Sequence, residues 1–323
     1  MNQAKQLLKN TANASLIHSS STYQKYLPQL TPEIHEQFLQ ATGKIIYNAT
    51  NNYMFQGMFQ EDHEALANLI CATLNWPRSK IKSLEITNPI TLGQYIENKT
   101  FILDIKVVLN DDTIVNLEMQ LNDYHNWPER SLSYLCRNFD TLNKGDDYSD
   151  VKTAIHIGFL DFTLFPSQPE FHAIYKLQNI KNHKTYTDKF VLHVIELNSI
   201  HLATDEDRKY EIDKWASFFK AKNWEEIRML VQDNPTLQTA AETLYRLNTD
   251  ERFRETCERF VRAENEMNAL NRRNKVLTQE KNSLIQEKNS LIQEKNSLIQ
   301  EKNSLIQEIT KYKAILEENN IEV

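Results

Sequence analysis

The sequence is poor in glycine and cysteine, and it contains no long apolar run. Only five glycines occur among its 323 residues. They form neither a Walker loop nor a G-x-G-x-x-G turn, so chemistry driven by a bound nucleotide is not expected. The three cysteines, Cys71, Cys136 and Cys257, include no C-x-x-C pair, which argues against a disulfide framework or a zinc site. No run of ~18 apolar residues is present, so a transmembrane helix is not expected.

The overall composition is that of an ordinary globular protein. The net charge is −7, and the chain is 40% hydrophobic and 25% charged, which is normal for a soluble domain. Any contact with nucleic acid must therefore come from a local basic surface rather than from the overall field. The N-terminus lacks the apolar core of a signal peptide, and unpaired cysteines fit a reducing compartment. These features predict a cytoplasmic protein that does not contact a membrane.

The chain divides into three segments by composition. Residues 1–30 are rich in Ser, Thr, Asn and Gln, which predicts a loosely ordered extension. Residues 31–248 alternate helical and strand-like patterns, which predicts an α/β domain with a mixed sheet flanked by helices and ending in helices. Residues 249–323 are predicted to form one long coiled-coil helix. Within the second segment, helices are predicted at 61–75, at 128–145 and from 205 onward, and strands at 81–89, 101–109, 113–121, 153–165, 170–178 and 190–197.

A tandem heptad repeat dominates the last segment. The sequence EKNSLIQ occurs four times over residues 280–307, and leucine recurs every seventh residue from Leu270 to Leu305. With leucine at position d, lysines such as Lys281 occupy position a. In a second register isoleucine occupies d and asparagines such as Asn282 occupy a. The first register is favoured because apolar residues on either side of the repeats then also fall at a. Polar a positions favour two strands, so we expect a homodimer; the alternative is a solubilising helical tail that has no partner.

Two acidic residues stand in a predicted hairpin over residues 101–121, FILDIKVVLNDDTIVNLEMQL. The turn is expected at residues 110–112, because Asn and Asp tolerate turn dihedrals. Pairing that is symmetric about this turn would set Asp104 opposite Glu118, with Cβ atoms roughly 4.5–5.5 Å apart. Like charges at that distance destabilise a sheet, whereas a cation between them would reverse the effect. The alternative interpretation is two exposed acids on a solvated face. Two carboxylates completed by water suit Mg²⁺ or Mn²⁺.

Two further sets of residues are candidates for the site. Arg130, Tyr134 and Arg137 lie four and three apart on the next predicted helix, so they share one side. Such a side could contact DNA phosphates through the arginines; the alternative is a solvated helix with a core tyrosine. Glu61 or Glu64 could supply a third carboxylate, although acids at the start of a helix also have an electrostatic role there.

These residues resemble a known family. An acid in one strand followed by acid-x-Gln in the next resembles the core of PD-(D/E)XK nucleases. More narrowly, the chain is similar to the PD-(D/E)XK family of transposases, also called recombination-promoting nucleases, in order over roughly residues 45–245. The matching stretches are NNYMFQGMF (51–59), LEITNP (84–89), ILDIKV (102–107), NLEMQ (116–120), RSLSYLCRNFDTLNKGDDYSDVK (130–152), IHIGFLDFTLFP (155–166) and HVIELNSI (193–200).

The resemblance implies a restriction-endonuclease-like core and a metal-dependent DNA endonuclease linked to recombination or mobile elements. Carried over by position, Asp104 and Glu118 would be the metal ligands. Gln120 would stand where the catalytic lysine is usual, and its amide can orient water but cannot titrate. The family pattern Asp-x-x-Phe-Lys reads Asn52 to Gln56 here, with amides at both charged positions. The alternative is therefore a catalytically impaired nuclease fold that binds DNA or acts as a coiled-coil interaction protein.

Overall fold

The computed structural model describes residues 31–88, 104–232 and 234–318. The predicted extension at 1–30 and the first residues of the predicted hairpin, 101–103, lie outside these ranges. The chain divides into two compact units, Met1–Phe260 and Val261–Val323. No helix within the described ranges combines the length and the apolar character needed to cross a membrane.

A mixed six-stranded sheet forms the centre of the first unit, as the sequence predicts. Its strands are β1 (Leu84–Ile86), β2 (Ile105–Leu109), β3 (Thr113–Gln120), β4 (Thr153–Leu160), β5 (His172–Lys176) and β6 (Phe190–Glu196). Their spatial order is β1-β2-β3-β4-β6-β5. Strands β3, β4 and β6 are parallel neighbours, whereas the other pairs are antiparallel. The parallel strands are covered on both faces, which explains their nearly continuous apolar sequences.

Helices cover both faces of this sheet. They are α1 (Pro32–Gln40), α2 (Asn52–Glu61), α3 (His63–Leu74), α4 (Trp127–Phe139), α5 (Asp205–Lys209), α6 (Ile212–Lys220), α7 (Trp224–Val231), α8 (Pro235–Thr249) and α9 (Glu251–Glu318). The larger apolar core joins one face of the sheet to the helices that precede β1 and follow β6. A smaller core lies on the other face, where Trp127 and Leu135 of α4 pack against β4 and β6.

The predicted helix at 61–75 begins two residues later than expected, at His63, and follows a helix that the sequence pattern did not reveal. Asp62 caps α3, because its Oδ1 accepts a hydrogen bond from the backbone N–H of Ala65 at 2.9 Å. Helix α2 ends immediately before this cap, at Glu61. All eight residues from Tyr53 to Gln60 are buried. A helix that is buried all round shows no clear apolar stripe, so its period cannot be read from the sequence.

The prediction that a helix extends to residue 145 was wrong, because α4 ends at Phe139. Beyond it, the backbone N–H of Asn143 donates to Oδ2 of Asp146 at 2.7 Å. Short polar side chains of this kind offer the backbone partners that compete with helical bonds. Gly145 lies in the turn that they form, with φ +106°, and therefore does not cap the helix.

The start of α9 belongs to the core of the first unit. Phe253, Cys257 and Phe260 are buried there. The ring of Tyr53 on α2 lies 4.9 Å from that of Phe253 and 4.6 Å from that of Phe260. A Cβ at Gly57 would overlap the Phe253 ring, so glycine allows α2 and α9 to approach. The first turns of α9 are thus part of the globular unit rather than of the repeat segment.

The repeat segment of α9 exposes two apolar stripes. The leucines from Leu270 to Leu305 are between 51% and 64% exposed, and the isoleucines from Ile285 to Ile306 are between 44% and 49% exposed. Leucine occupies position d in one heptad register and isoleucine occupies it in the other, and both are exposed on the single helix. A long exposed apolar stripe favours association with another surface.

Candidate functional site

The two acids of the hairpin are buried and face each other. Strands β2 and β3 pair with Ile105 opposite Leu117, and the same register continued by one residue sets Asp104 opposite Glu118. The turn at residues 110–112 has positive φ at its first two residues, as its short polar side chains allow. Asp104 is 7% exposed and Glu118 is 5% exposed, so they are not acids on a solvated face.

Burial raises the pKa of both carboxyl groups. Desolvation is the largest influence on the pKa of Asp104, and a hydrogen bond from the Asn116 side chain partly opposes it. Desolvation is also the largest influence on the pKa of Glu118, where Arg130 opposes it and the charge of Asp104 reinforces it. One oxygen of each acid, Oδ1 of Asp104 and Oε2 of Glu118, is buried and accepts no hydrogen bond from the described residues. When both acids are ionised, two negative charges therefore lie close together in a buried position, and each acid also has an oxygen that accepts no hydrogen bond from the described residues.

Arg130 of α4 neutralises part of this charge. Its Nε donates to Oε1 of Glu118 at 2.7 Å, and its Nη2 lies 2.6 Å from the same oxygen. The side chain of Arg130 is 40% exposed and that of Glu118 is 6% exposed, so the guanidinium bridges solvent and the buried acid. The predicted phosphate-binding side of α4 is therefore divided, because Arg130 contacts the acid, Tyr134 is half-buried and Arg137 is exposed.

A neutral histidine that the sequence analysis did not assign to the site lies beneath the acids. The Asn116 amide nitrogen lies 3.2 Å from Nδ1 of His156. An amide nitrogen can only donate, so Nδ1 accepts and the ring proton must be on Nε2. That atom is 3.7 Å from Oε2 of Glu118, which is too long for a hydrogen bond. Complete burial, with a smaller effect of Arg130, lowers the pKa of His156 to about 3, so the ring carries no charge at neutral pH.

Close packing of α4 holds this layer in place. The ring of Tyr134 is stacked 5.9 Å from that of His156, and Arg130 lies 5.3 Å from the centre of the Tyr134 ring. Gly158 on β4 permits the approach, because a Cβ there would overlap the indole of Trp127. The alternation of β4 puts His156 and Gly158 on the same face, toward α4.

Gln120 lies on the same face as Glu118, two residues further along β3. It is 9% exposed, and its amide nitrogen donates to the backbone carbonyl of Asn122 at 2.9 Å. The bond fixes the amide nitrogen and leaves the side-chain oxygen as the group that could accept from a water molecule.

Gln56, which stands where the family resemblance expects lysine, contacts the site from the opposite side. It is 2% exposed on α2, and its amide nitrogen donates to the backbone carbonyl of Asp104 at 3.3 Å. Its amide oxygen is buried without a partner, and so is the amide oxygen of Asn52 one turn earlier. Sequence reasoning found this residue only through the resemblance, because nothing in its spacing predicts contact with the hairpin.

The two candidates for a third carboxylate are paired elsewhere. Glu64 forms an ion pair with Arg78 at 2.6 Å and is 60% exposed. Glu61 lies 3.4 Å from Arg246, at the end of α2 rather than at the start of a helix. Within the described residues, no group of three or more His, Cys, Asp or Glu side chains is arranged to hold a metal ion.

The oxygen atoms of the two hairpin acids and of Gln56 on α2 nevertheless fit a hard divalent cation. One buried acceptor oxygen on each of Asp104, Glu118 and Gln56 has no partner among the described residues, and oxygen is the ligand that Mg²⁺ prefers. Mg²⁺ also keeps several waters and is commonly bound through only one or two carboxylates. A pair of acids supplemented by neutral oxygens is therefore compatible with such an ion.

Comparison with known proteins identifies a family that matches most of the chain. Residues 49–287 match the profile described as PD-(D/E)XK nuclease family transposase. No curated protein matches the chain, and no solved structure matches it. The matched range contains the hairpin acids, α2 and α4, and it includes the whole first heptad repeat, residues 280–286.

Proposed function

Because this chain belongs to the PD-(D/E)XK nuclease family of transposases, we propose that it is a Mg²⁺-dependent DNA endonuclease that acts in recombination or on mobile elements. Family membership supports a nuclease- or transposase-type function in general. The more specific proposal rests on one observation, the buried and opposed pair Asp104 and Glu118, each with an oxygen that lacks a partner. Two buried carboxylates destabilise the fold when no cation is bound, and a bound cation would offset that effect.

Each residue of the site has a role in this proposal. Asp104 and Glu118 hold the ion, which when bound would stabilise the charge that develops on the phosphate and make a water more acidic. Arg130 holds Oε1 of Glu118 and so leaves Oε2 free to act as a ligand. Gln120 orients the attacking water through its side-chain oxygen, since its amide cannot take a proton.

DNA contact is assigned to the exposed side of α4. Arg137 is exposed and Tyr134 is half-buried. Arg130 uses Nε and Nη2 on Glu118, and a guanidinium has further N–H donors that could reach a phosphate. Replacing Arg137 by methionine should weaken binding to every DNA sequence and lower the slope of log affinity against log salt by about one. An unchanged slope would show that this side of α4 does not contact the backbone.

A plasmid-nicking assay with Mg²⁺ or Mn²⁺ tests the activity. The full-length protein should cleave, and Asp104→Asn and Glu118→Gln should each lose cleavage while keeping their circular dichroism spectra. Glu85→Gln is the matched control, because Glu85 is an exposed acid on β1 of the same sheet. Equal cleavage by the wild type and both site variants would exclude this metal site.

A second function is favoured by the amides at Asn52 and Gln56. If the charges that the family pattern has at those positions are required, the chain would bind DNA without cutting it, or would act as a coiled-coil interaction protein. DNA binding with salt dependence but no cleavage under either metal would support the first of these alternatives. The absence of both DNA binding and cleavage would support the second alternative.

Pairing of two copies through the heptad repeats completes the proposal. The stripe of exposed leucines from Leu270 to Leu305 is the surface that would be buried, and lysine at position a would disfavour larger assemblies. A dimer brings two single-strand cutting sites to one duplex, as double-strand cleavage needs. Sedimentation at micromolar concentration should show a dimer, and a version ending at Ala263 should run as a monomer that nicks rather than cuts both strands.

A further inference from the structure

The amide of Gln56 has only one orientation that its surroundings allow. The backbone carbonyl of Asp104 receives two donors, Nε2 of Gln56 at 3.3 Å and Nδ2 of Asn88 at 2.8 Å. A carbonyl oxygen accepts and never donates, so a reversed Gln56 amide would set two acceptors against each other. The nitrogen must therefore face the carbonyl, and the oxygen must face away from it.

That amide oxygen has no partner among the described residues, although the side chain is only 2% exposed. A buried polar atom without a hydrogen bond destabilises the fold, and such atoms are rare in native proteins. Oδ1 of Asp104, the residue that Gln56 contacts, is also buried without a hydrogen bond from any described residue. The same is true of Oε2 of Glu118, which lies opposite Asp104 in the sheet. All three are acceptors, and two of the three belong to acids.

Within the part of the chain that the structure describes, the neighbouring donors do not satisfy these oxygens. Arg130 contacts the other oxygen of Glu118, and Nε2 of His156 remains 3.7 Å from Oε2. A water molecule brings two protons, which is fewer than three acceptors require. A divalent cation can satisfy all three oxygens at once, since carboxylate and amide oxygens are both among its normal ligands.

We propose that the side-chain oxygen of Gln56 is a third protein ligand of the divalent cation held by Asp104 and Glu118. This inference rests on the proposed nuclease function and adds a ligand to the same site. The two acids alone then balance a charge of +2, and Gln56 adds coordination without adding charge. The lysine of the family pattern would bring a positive charge next to the ion, so glutamine at this position changes the site from two protein ligands to three rather than disabling it.

Manganese binding to the full-length protein tests the assignment independently of cleavage. Mn²⁺ affinity would be measured by calorimetry and by the electron paramagnetic resonance of free Mn²⁺. Gln56→Leu should weaken binding about 10-fold or more, the scale seen when a group that supports a metal site is removed. Gln56→Met should weaken it in the same way, because methionine has a similar length but offers no oxygen ligand. Gln56→Lys should weaken it by charge repulsion.

The control removes another buried polar group that does not touch the acids. Thr73 on α3 is fully buried and its hydroxyl donates to the carbonyl of Leu69 at 2.9 Å, so Thr73→Val should lower stability slightly and leave Mn²⁺ affinity unchanged. If Gln56→Leu does not fold, Gln56→Met decides, and a Mn²⁺ affinity equal to that of the wild type overturns the assignment.

The outcomes also separate this inference from the proposed function. If Asp104→Asn abolishes Mn²⁺ binding but Gln56→Leu binds as tightly as the wild type, the two-carboxylate site stands and Gln56 is not a ligand. If the wild type binds no Mn²⁺ at millimolar concentration and does not nick DNA, the metal-dependent function fails, and the role of Gln56 fails with it.

Discussion

Arg130 places both of its closest nitrogens on one oxygen of Glu118, at 2.6 and 2.7 Å, and leaves the second oxygen of that acid without a partner. The contact does two things at once. It opposes the desolvation that raises the pKa of Glu118, and it fixes which of the two oxygens is available. A single arginine on α4 therefore favours the ionised form of Glu118 on β3 and also orients its carboxylate.

Arg130→Met should lower the free energy of unfolding by about 1–3 kcal/mol at pH 8. Removing one partner of a buried pair leaves an uncompensated charge, and the exposed fraction of Arg130, 40%, reduces the effect. The loss should shrink as the pH falls through the raised folded-state pKa of Glu118, because a neutral Glu118 no longer needs the arginine. Urea denaturation measures it, with the exposed Arg137→Met as the control. Combining Arg130→Met with Glu118→Gln should recover much of the loss, whereas additive effects would show that the two residues are not coupled.

Asp104→Asn should stabilise the protein in the absence of divalent ions, by roughly 0.2–1 kcal/mol at pH 7, because it relieves a like-charge pair in the sheet. The pKa of Asp104 is raised above 3.8 in the folded state, so the folded protein loses stability as its carboxyl ionises. The gain from the substitution should therefore be absent below pH 3.8 and grow as the pH rises through the folded pKa. Chemical denaturation in EDTA over this range is the measurement. No gain at pH 7 would mean that the acids do not repel each other.

Three hydrogen-bonded side chains on β5, β6 and α5 should lower the free energy of unfolding as the pH falls, whereas ionisation of Asp104 lowers it as the pH rises. Nδ1 of His172 lies 3.0 Å from Oδ1 of Asp207, and Nε2 of His172 lies 2.9 Å from Nδ1 of His193. Burial, reinforced by His172 and Lys176, lowers the pKa of His193 to about 3. Below pH 6.5 the unfolded chain therefore binds a proton that the folded protein does not, and stability falls as the pH decreases toward 3.

His193→Gln should make that decrease shallower, by up to about 1.4 kcal/mol for each pH unit below 6.5. Glutamine can still donate to His172 but does not titrate in this range. Denaturation curves between pH 7 and pH 5 measure the slope, and His183→Gln serves as the control because His183 is exposed. Identical slopes for the wild type and His193→Gln would mean that His193 is protonated in the folded protein as well.

Two truncations should behave very differently. A chain ending at Asp250 loses Phe253, Cys257 and Phe260, all buried in the core. Removing a buried phenylalanine costs about 3–5 kcal/mol, and whole domains are stable by only about 5–15 kcal/mol, so this version should be largely unfolded. A chain ending at Ala263 keeps these contacts and should show cooperative thermal unfolding by circular dichroism. Equal melting curves for the two would mean that the start of α9 does not stabilise the core.

The sequence predicts the sheet and the hairpin pair because their causes are local. Alternating residues and a turn of Asn and Asp determine the register that sets Asp104 against Glu118. Helix α2 was missed because all of its sides are buried, so it has no apolar period. The contacts of Arg130 with Glu118 and of Gln56 with Asp104 join residues that are distant in the sequence or in different elements. Such contacts depend on how the elements pack, and no spacing rule describes them.

Helix α2 contacts both Asp104 and the first turns of α9, two regions that genetic experiments would treat as separate. Gln56 touches the backbone of Asp104, while Tyr53 and Gly57 pack against the first turns of α9. A deletion or nonsense allele that reaches those turns would remove the support of α2, and with it the contact beside the acids. Loss of activity in such an allele would then look like a catalytic requirement for the C-terminal helix, although its cause would be the lost packing of the core around α2.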